Sequence, residues 1–287
     1  MLTKSTHLKG FAIIAKDGLP GTLDGELGRV DHLYFDDETW AVRYFVVDTG
    51  GWLAGRRVLI SPISVSHTDW QAKELHVALT REQIEHSPDI DTHRPVSRQY
   101  EAEFMGYYGY PFYWGGPNLW GPAFYPAQLS VPAIAPIGAN AARIRIDSGS
   151  EASVQEQSVQ EQMDSHLRGT EAVTGYSIEA TDGAIGHVEG FLVDDAVWAI
   201  RYIEVATRNW LPGKKVLVAP AWIERISWGA SEVIVALTKE AIRMAPEYHE
   251  SSPVSRDYED LLYRHYGRPA YWARQAESAP SLSAGGI

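Results

Sequence analysis

The chain has 287 residues with ten tryptophans and no cysteine, so disulfides and thiolate metal sites are excluded. Its formal net charge of −12 works against nucleic acid and anionic lipid, whose binding relies on a cationic surface. No apolar run approaches the ~20 residues of a transmembrane helix. Residues 1–7 lack the apolar stretch of a signal peptide, so the expected compartment is the cytoplasm.

In chain order, residues 10–15 read as a short apolar strand ending at the turn residues Asp17-Gly18. Residues 27–35 and 40–48 read as two strands joined by the polar turn Asp36-Asp37-Glu38-Thr39, a hairpin signal. Within 40–48, Trp40, Val42, Tyr44 and Val46 share one face and Ala41, Arg43, Phe45 and Val47 the other, so both faces are expected to be covered. A turn at Gly50-Gly51 leads to a strand over 57–61, stopped by Pro62, and then to short strands over 63–67 and 74–78. Short strands at this spacing indicate a small β-barrel or sandwich.

Thr80 with Gln83 three residues on is a capping box, and its helical turn ends at Pro88. Ser97 caps a second helix over 98–108, with Tyr100, Phe104 and Tyr107 or Tyr108 along one side. That helix and the aromatic tail after it are expected to pack on the barrel. Residues 115–136, rich in Pro, Gly and aromatics, read as extended along a domain surface. Residues 148–164, with no basic residue, read as disordered or loosely helical, and the small-residue tail 274–287 as disordered.

The rest of the chain repeats the first part. A shift of 158 residues lays 24–114 on 182–272 without a gap. Asp24-Gly25 falls on Asp182-Gly183, Trp40 on Trp198, Arg43-Tyr44 on Arg201-Tyr202 and Trp52-Leu53 on Trp210-Leu211. Pro95-Val96-Ser97-Arg98 falls on Pro253-Val254-Ser255-Arg256, and Tyr113-Trp114 on Tyr271-Trp272. A period this long means two copies of a small domain rather than a solenoid. The expected divisions are a first repeat over 7–114, a linker over 115–165, a second repeat over 166–273 and the tail.

Few residues suggest chemistry. Asp36-Asp37 and Asp194-Asp195 are repeated acidic pairs, but Glu38 becomes Ala196, and a solvated hairpin turn accounts for them better than a weak cation site or paired carboxylates for acid–base work. Arg43 and Arg201, inside a strand, either hold a partner carboxylate or pair with an internal Asp, the second being favoured. The repeated doublets Arg56-Arg57 and Lys214-Lys215 read as a solvated strand start rather than a phosphate site. The ten histidines show no ligand spacing; His7 has a counterpart only in His166, at a shift of 159. No phosphate-binding loop, dinucleotide motif or nucleophile elbow is present, so no catalytic, metal or cofactor residue is assigned. The candidate partner-binding residues are Tyr108, Tyr110, Tyr113, Trp114, Tyr266, Tyr271 and Trp272, since clustered Tyr and Trp dominate interface energetics. Packing on the chain's own barrels is the competing use for them.

The runs Leu27-Gly28-Arg29-Val30, Asp36-Asp37, Trp40-x-Val42-Arg43-Tyr44-x-Val46-Val47 and Arg57-Val58-Leu59-Ile60-Ser61-Pro62 resemble the PRC-barrel family. Their counterparts are Ile185-Gly186-His187-Val188, Asp194-Asp195, Trp198-x-Ile200-Arg201-Tyr202 and Lys215-Val216-Leu217-Val218-Ala219-Pro220. The resemblance spans roughly 7–85 and 166–243. It implies a mainly β protein of two tandem, partly open small barrels, each followed by a short helix and an aromatic tail. It also implies an adaptor that binds other macromolecules and carries no catalytic motif. A non-enzymatic scaffold with an unknown protein partner, its barrels paired within the chain, is the leading expectation. The alternatives are a ribosome-associated factor resembling RimM and a peripheral part of a photosynthetic or electron-transfer membrane complex resembling the reaction-centre H subunit.

Overall fold

The computed structural model describes residues 1–18, 25–88, 90, 96–114, 116–130, 166–207 and 214–273. The expectations for 148–164 and 274–287, and the residues Asp24, Pro95, Trp210 and Leu211, lie outside these. Contacts divide the chain into two compact units. The first contains Met1, residues 3–174 and residues 190–202; the second contains Leu2, residues 175–189 and residues 203–287.

The first seven-stranded sheet has the order β5(Arg57–Ile60)-β4(Val42–Asp48)-β3(Glu26–Asp36)-β2(Ala12–Ile14)-β7(Glu74–Val77)-β6(Val65–Asp69), with β8(Leu167–Gly169) paired to β3. β3 and β4 form the expected antiparallel hairpin, Arg29 opposite Asp48 and Phe35 opposite Val42. β2 runs parallel to β7, which curls the sheet toward a barrel. Six successive residues of β4 are buried, so the expectation of cover on both faces holds. The second sheet repeats the order as β12(Lys215–Val218)-β11(Ala199–Ala206)-β10(Gly183–Asp194)-β9(Ser177–Ala180)-β14(Glu232–Val235)-β13(Ile223–Ser227), with β1(Leu2–Lys4) paired to β10. Both sheets are open at their ends, as partly closed barrels require.

Several sequence readings shift. Trp40 is not a strand residue: its φ of +61° and the +51° of Trp198 place both in the left-handed region. Such a conformation is strained for a bulky side chain. Trp40 instead stacks on Phe35 at 5.1 Å. Residues 62–64 form a 3-10 turn before β6 rather than the start of a strand, and Gly50–Leu53 is a 3-10 turn as well. The helices α2(Arg81–Glu85), with the Thr80–Gln83 capping box, and α3(Arg98–Tyr108), capped by Ser97, stand where the caps put them.

The repeat also reaches further back than the ungapped shift. β1 and α1(Ser5–Leu8) correspond to β8 and α4(Thr170–Val173) at a shift of 165. His166 therefore answers to Met1, not His7. Asp37 N–H donates to His166 O at 2.8 Å, and Asp195 N–H donates to Met1 O at 3.2 Å. The change from 165 to 158 falls in the β2–β3 connection. Asp17 takes the role of Asp182: Asp17 Oδ1 accepts from Arg81 N and Asp182 Oδ1 from Lys239 N. The longer connection is closed by a glycine pair, since a Cβ on Gly18 would stand 2.2 Å from Gly25 Cα.

Among the described residues no helix is long and apolar enough to cross a membrane.

Candidate functional site

The site begins at α3. Ser97 Oγ accepts from Tyr100 N, and Gly109, at φ +70°, turns the chain back at the other end. Arg98 and Glu101, one turn apart, then face the returning segment that carries Tyr113 and Trp114. Glu101 is buried, and its Oε1 accepts from the hydroxyls of Tyr113 and, at 3.2 Å, of Tyr44. Its Oε2 is 3.1 Å from Arg98 Nη1, which also donates to the Tyr113 hydroxyl at 3.0 Å. Burial raises the Glu101 carboxyl above the ordinary range, and burial next to Glu101 holds the Tyr44 and Tyr113 hydroxyls well above theirs.

Behind Tyr113 lies Arg43, at 1% exposure. Its guanidinium sits 3.7 Å from the Tyr113 ring centroid and 4.8 Å from that of Trp120, donates to Leu119 O and Thr39 Oγ1, and lies 3.6 Å from Asp36 Oδ2. The internal Arg–Asp pair favoured from sequence is therefore present, and Asp36 is not solvated. It is buried, accepting from the N–H groups of Glu38 and Thr39 in the turn. Asp37 is also engaged, by Arg168 at 2.9 Å. Residues 116–130 are not an extended surface strip: they turn on themselves and deliver Trp120, fully buried, to the Arg43 site.

The second repeat builds the same core on α6(Arg256–His265). Glu259 Oε1 accepts from the Tyr271 hydroxyl at 3.0 Å, Arg256 Nη1 lies 3.1 Å from Glu259 Oε2, and the Arg256 guanidinium is 4.0 Å from the Trp272 ring. Arg201 pairs with Asp194 at 3.1 Å.

The seven candidate aromatics thus divide by environment. Tyr113 is buried at 3% exposure in the Glu101 network, and Tyr271 is bonded to Glu259. Tyr108 and Tyr110 stack on each other at 5.5 Å, and Tyr266 packs on Trp222 at 4.7 Å. Trp114 and Trp272 each lie against an arginine. The exposed part of the first unit's patch includes residues outside the candidate set: Phe112 (50%), stacked on Trp114 at 4.6 Å, with Phe124 and Tyr125 also exposed. Phe112 becomes Ala270 in the second copy, so this patch is not duplicated.

Arg57 and Lys215 begin β5 and β12 as expected, but the first residue of each basic doublet is bonded inward. Arg56 donates to the carbonyls of Glu85 and Ser87, and Lys214 Nζ donates to those of Arg243 and Ala245, closing α2 and α5(Lys239–Arg243) at their C-terminal ends. One acidic–histidine group, Asp31, His32 and Glu171, has metal-ligand proximity that sequence spacing did not reveal. Its carboxylates already face cations: Lys9 Nζ lies 3.2 Å from Asp31 and 2.9 Å from Glu171, and Arg57 lies 3.2 Å from Asp31.

Residues 4–84 match the model of the PRC-barrel domain. Residues 4–84 form a PRC-barrel domain. The match runs from the end of β1 through β7 into α2, so α3, Tyr113, Trp114 and Trp120 lie outside the matched residues. The second sheet has the same strand order, with an Arg201–Asp194 pair and a Glu259–Tyr271 bond at the equivalent positions, the first more exposed than its counterpart. No curated protein matches the chain.

Proposed function

We propose that the chain is a non-enzymatic protein-binding scaffold whose partner surface is the exposed edge of the first aromatic tail, centred on Phe112 and Trp114. The observation that carries this reading is the combination of an exposed Phe112, stacked on a half-buried Trp114, with a rigid backing. Trp114 lies between Phe112 and the Arg98 guanidinium, and Arg98 is fixed by buried Glu101 and Tyr113. Trp, Tyr and Arg held in place before binding are what interface hot spots use, because little side-chain freedom remains to be lost. Trp272 on Arg256 is a smaller second surface of the same design. A further part of the proposal is that the two repeats pair within the chain. It is supported by the bridge between Ala41 and Ala199, positions equivalent under the 158 shift. The ribosomal and membrane-complex readings rest on family resemblance alone, and the charge of −12 works against RNA.

The test is capture with the tagged chain and with its Trp114→Ala/Trp272→Ala variant, followed by measurement of the captured protein's affinity with purified components. A partner bound by the first and weakened at least tenfold by the second, at unchanged melting temperature, supports the surface. Equal binding by both variants places the interface elsewhere.

A further inference from the structure

The first unit is completed by a hairpin tip, residues 190–202, whose strand bases at 183–189 and 203–206 belong to the second unit. Within the first unit the tip is seated by Ala41 opposite Ala199, by Val42 N–H donating to Trp198 O at 2.7 Å and by Ile200 N–H donating to Trp40 O at 2.8 Å. Two aromatic contacts flank this seam, Phe45 on Trp198 at 4.8 Å and Phe35 on Phe191 at 5.6 Å. The Trp120 indole N–H donates to Val197 O.

The paired main-chain positions are the same positions of the repeat, 40 to 42 against 198 to 200, so the seam is self-matching. A self-matching surface accepts the same element from another copy with the same contacts, as isologous interfaces do. The only advantage of the chain's own hairpin is its tether.

We infer that this seam also takes a second copy of the chain. Residues 166–174 and hairpin 190–202 of each copy seat together on the first repeat of the other, with β8 on β3 and Ala199 on Ala41, giving an exchanged dimer. The inference rests on the pairing of repeats proposed above. Because the contacts are unchanged, closed monomer and exchanged dimer differ only in whether the paired repeats share a chain, and for covalently joined partners that is worth an effective concentration on the order of millimolar.

The test exploits the absence of native cysteine. Ala41 and Ala199 form a non-hydrogen-bonded antiparallel pair, in which Cα atoms lie about 4.5 Å apart, within the range a disulfide accepts. Both positions are buried, so random collision in the folded state does not oxidise them. Full-length Ala41→Cys/Ala199→Cys chains carrying two tags of different mass are mixed, unfolded together, refolded at about 1 µM and at about 1 mM, far below and close to the effective concentration, and oxidised. The expected result is an intrachain cross-link at the low concentration and a reducible mixed-tag dimer at the high one, with the dimer-to-monomer ratio rising about tenfold per tenfold concentration by mass action.

Cross-links confined to single chains at both concentrations overturn the exchange and leave the pairing standing. No cross-link of either kind overturns both. Should the cysteine variant not refold, the unmodified chain refolded at about 1 mM is sized by light scattering; a pure monomer there overturns the exchange.

Discussion

Replacing Arg43 with Met, and separately Arg201 with Met, compares one repeated residue in two environments within one chain. Arg43 and Asp36 have side-chain exposures of 1% and 5%, while Arg201 and Asp194 have 12% and 18%. Methionine keeps much of the volume at position 43 but leaves the Asp36 carboxylate without its cation and strands Leu119 O and Thr39 Oγ1. It also removes the stacking on Tyr113 and Trp120. Deleting one partner of a buried ion pair costs about 3–5 kcal/mol. Asp36 keeps two turn N–H donors, which puts the expected cost near the lower end, about 3 kcal/mol. At position 201 water screens the remaining carboxylate, and the expected cost is about 1–2 kcal/mol. For a unit of this size a loss of 1 kcal/mol lowers the melting temperature by about 2–4 °C. The Arg43 variant should therefore melt about 10 °C lower and the Arg201 variant about one third to two thirds as far. Thermal melts by circular dichroism, with urea unfolding followed by tryptophan fluorescence, measure both. If Arg201→Met costs as much as Arg43→Met, burial is not what makes the first site important, and the argument fails.

Two further outcomes follow from the same geometry. Gly28→Ala and Gly186→Ala should each cost about 2–4 kcal/mol, because a Cβ would lie 2.3 Å from Asp48 O or 1.9 Å from Ala206 O at a positive φ. Gly55→Ala, also at positive φ but with nothing within 4 Å, should cost only about 1–2 kcal/mol in urea unfolding; equal losses at all three sites would refute the close-approach argument. Glu101→Gln tests the buried carboxyl through pH. Since burial raises the folded-state value, the group favours the folded chain below the ordinary carboxyl range, and that contribution is lost as pH rises through the raised value. Wild-type stability minus variant stability should fall as pH climbs from about 4.5 toward neutrality and then level off; a flat or rising difference contradicts the assignment.

What could be read from the sequence was local. Alternation fixed the β3–β4 hairpin, and the hydroxyl caps Thr80 and Ser97 fixed the starts of α2 and α3, because those signals act over three or four residues. β1 and β8 left no trace, since a three-residue strand has no alternation to read and its partner lies more than a hundred residues away. The identical dipeptides Asp17-Gly18 and Asp24-Gly25 made the alignment ambiguous, and only the bond from Arg81 N decides it. At the site, Arg43 and Tyr113-Trp114 stood out as repeats, yet Glu101 and Glu259 repeat just as faithfully and join Tyr113 and Tyr271 to their helices. Trp120 could not be anticipated, because nothing in a Pro/Gly-rich stretch signals that one indole is fully buried against an arginine.

The glycine-closed connection between Gly18 and Gly25 makes the first repeat a natural record of an accepted insertion. The strands on either side keep the bonds their counterparts make in the second repeat, where Asp182-Gly183 passes directly from β9 to β10. Seven additional residues have thus been accommodated at one corner without altering the pairing of β2 with β3 or β7. That corner is where a reporter peptide could be spliced into either half of the chain, giving each repeat its own handle while both aromatic tails stay untouched.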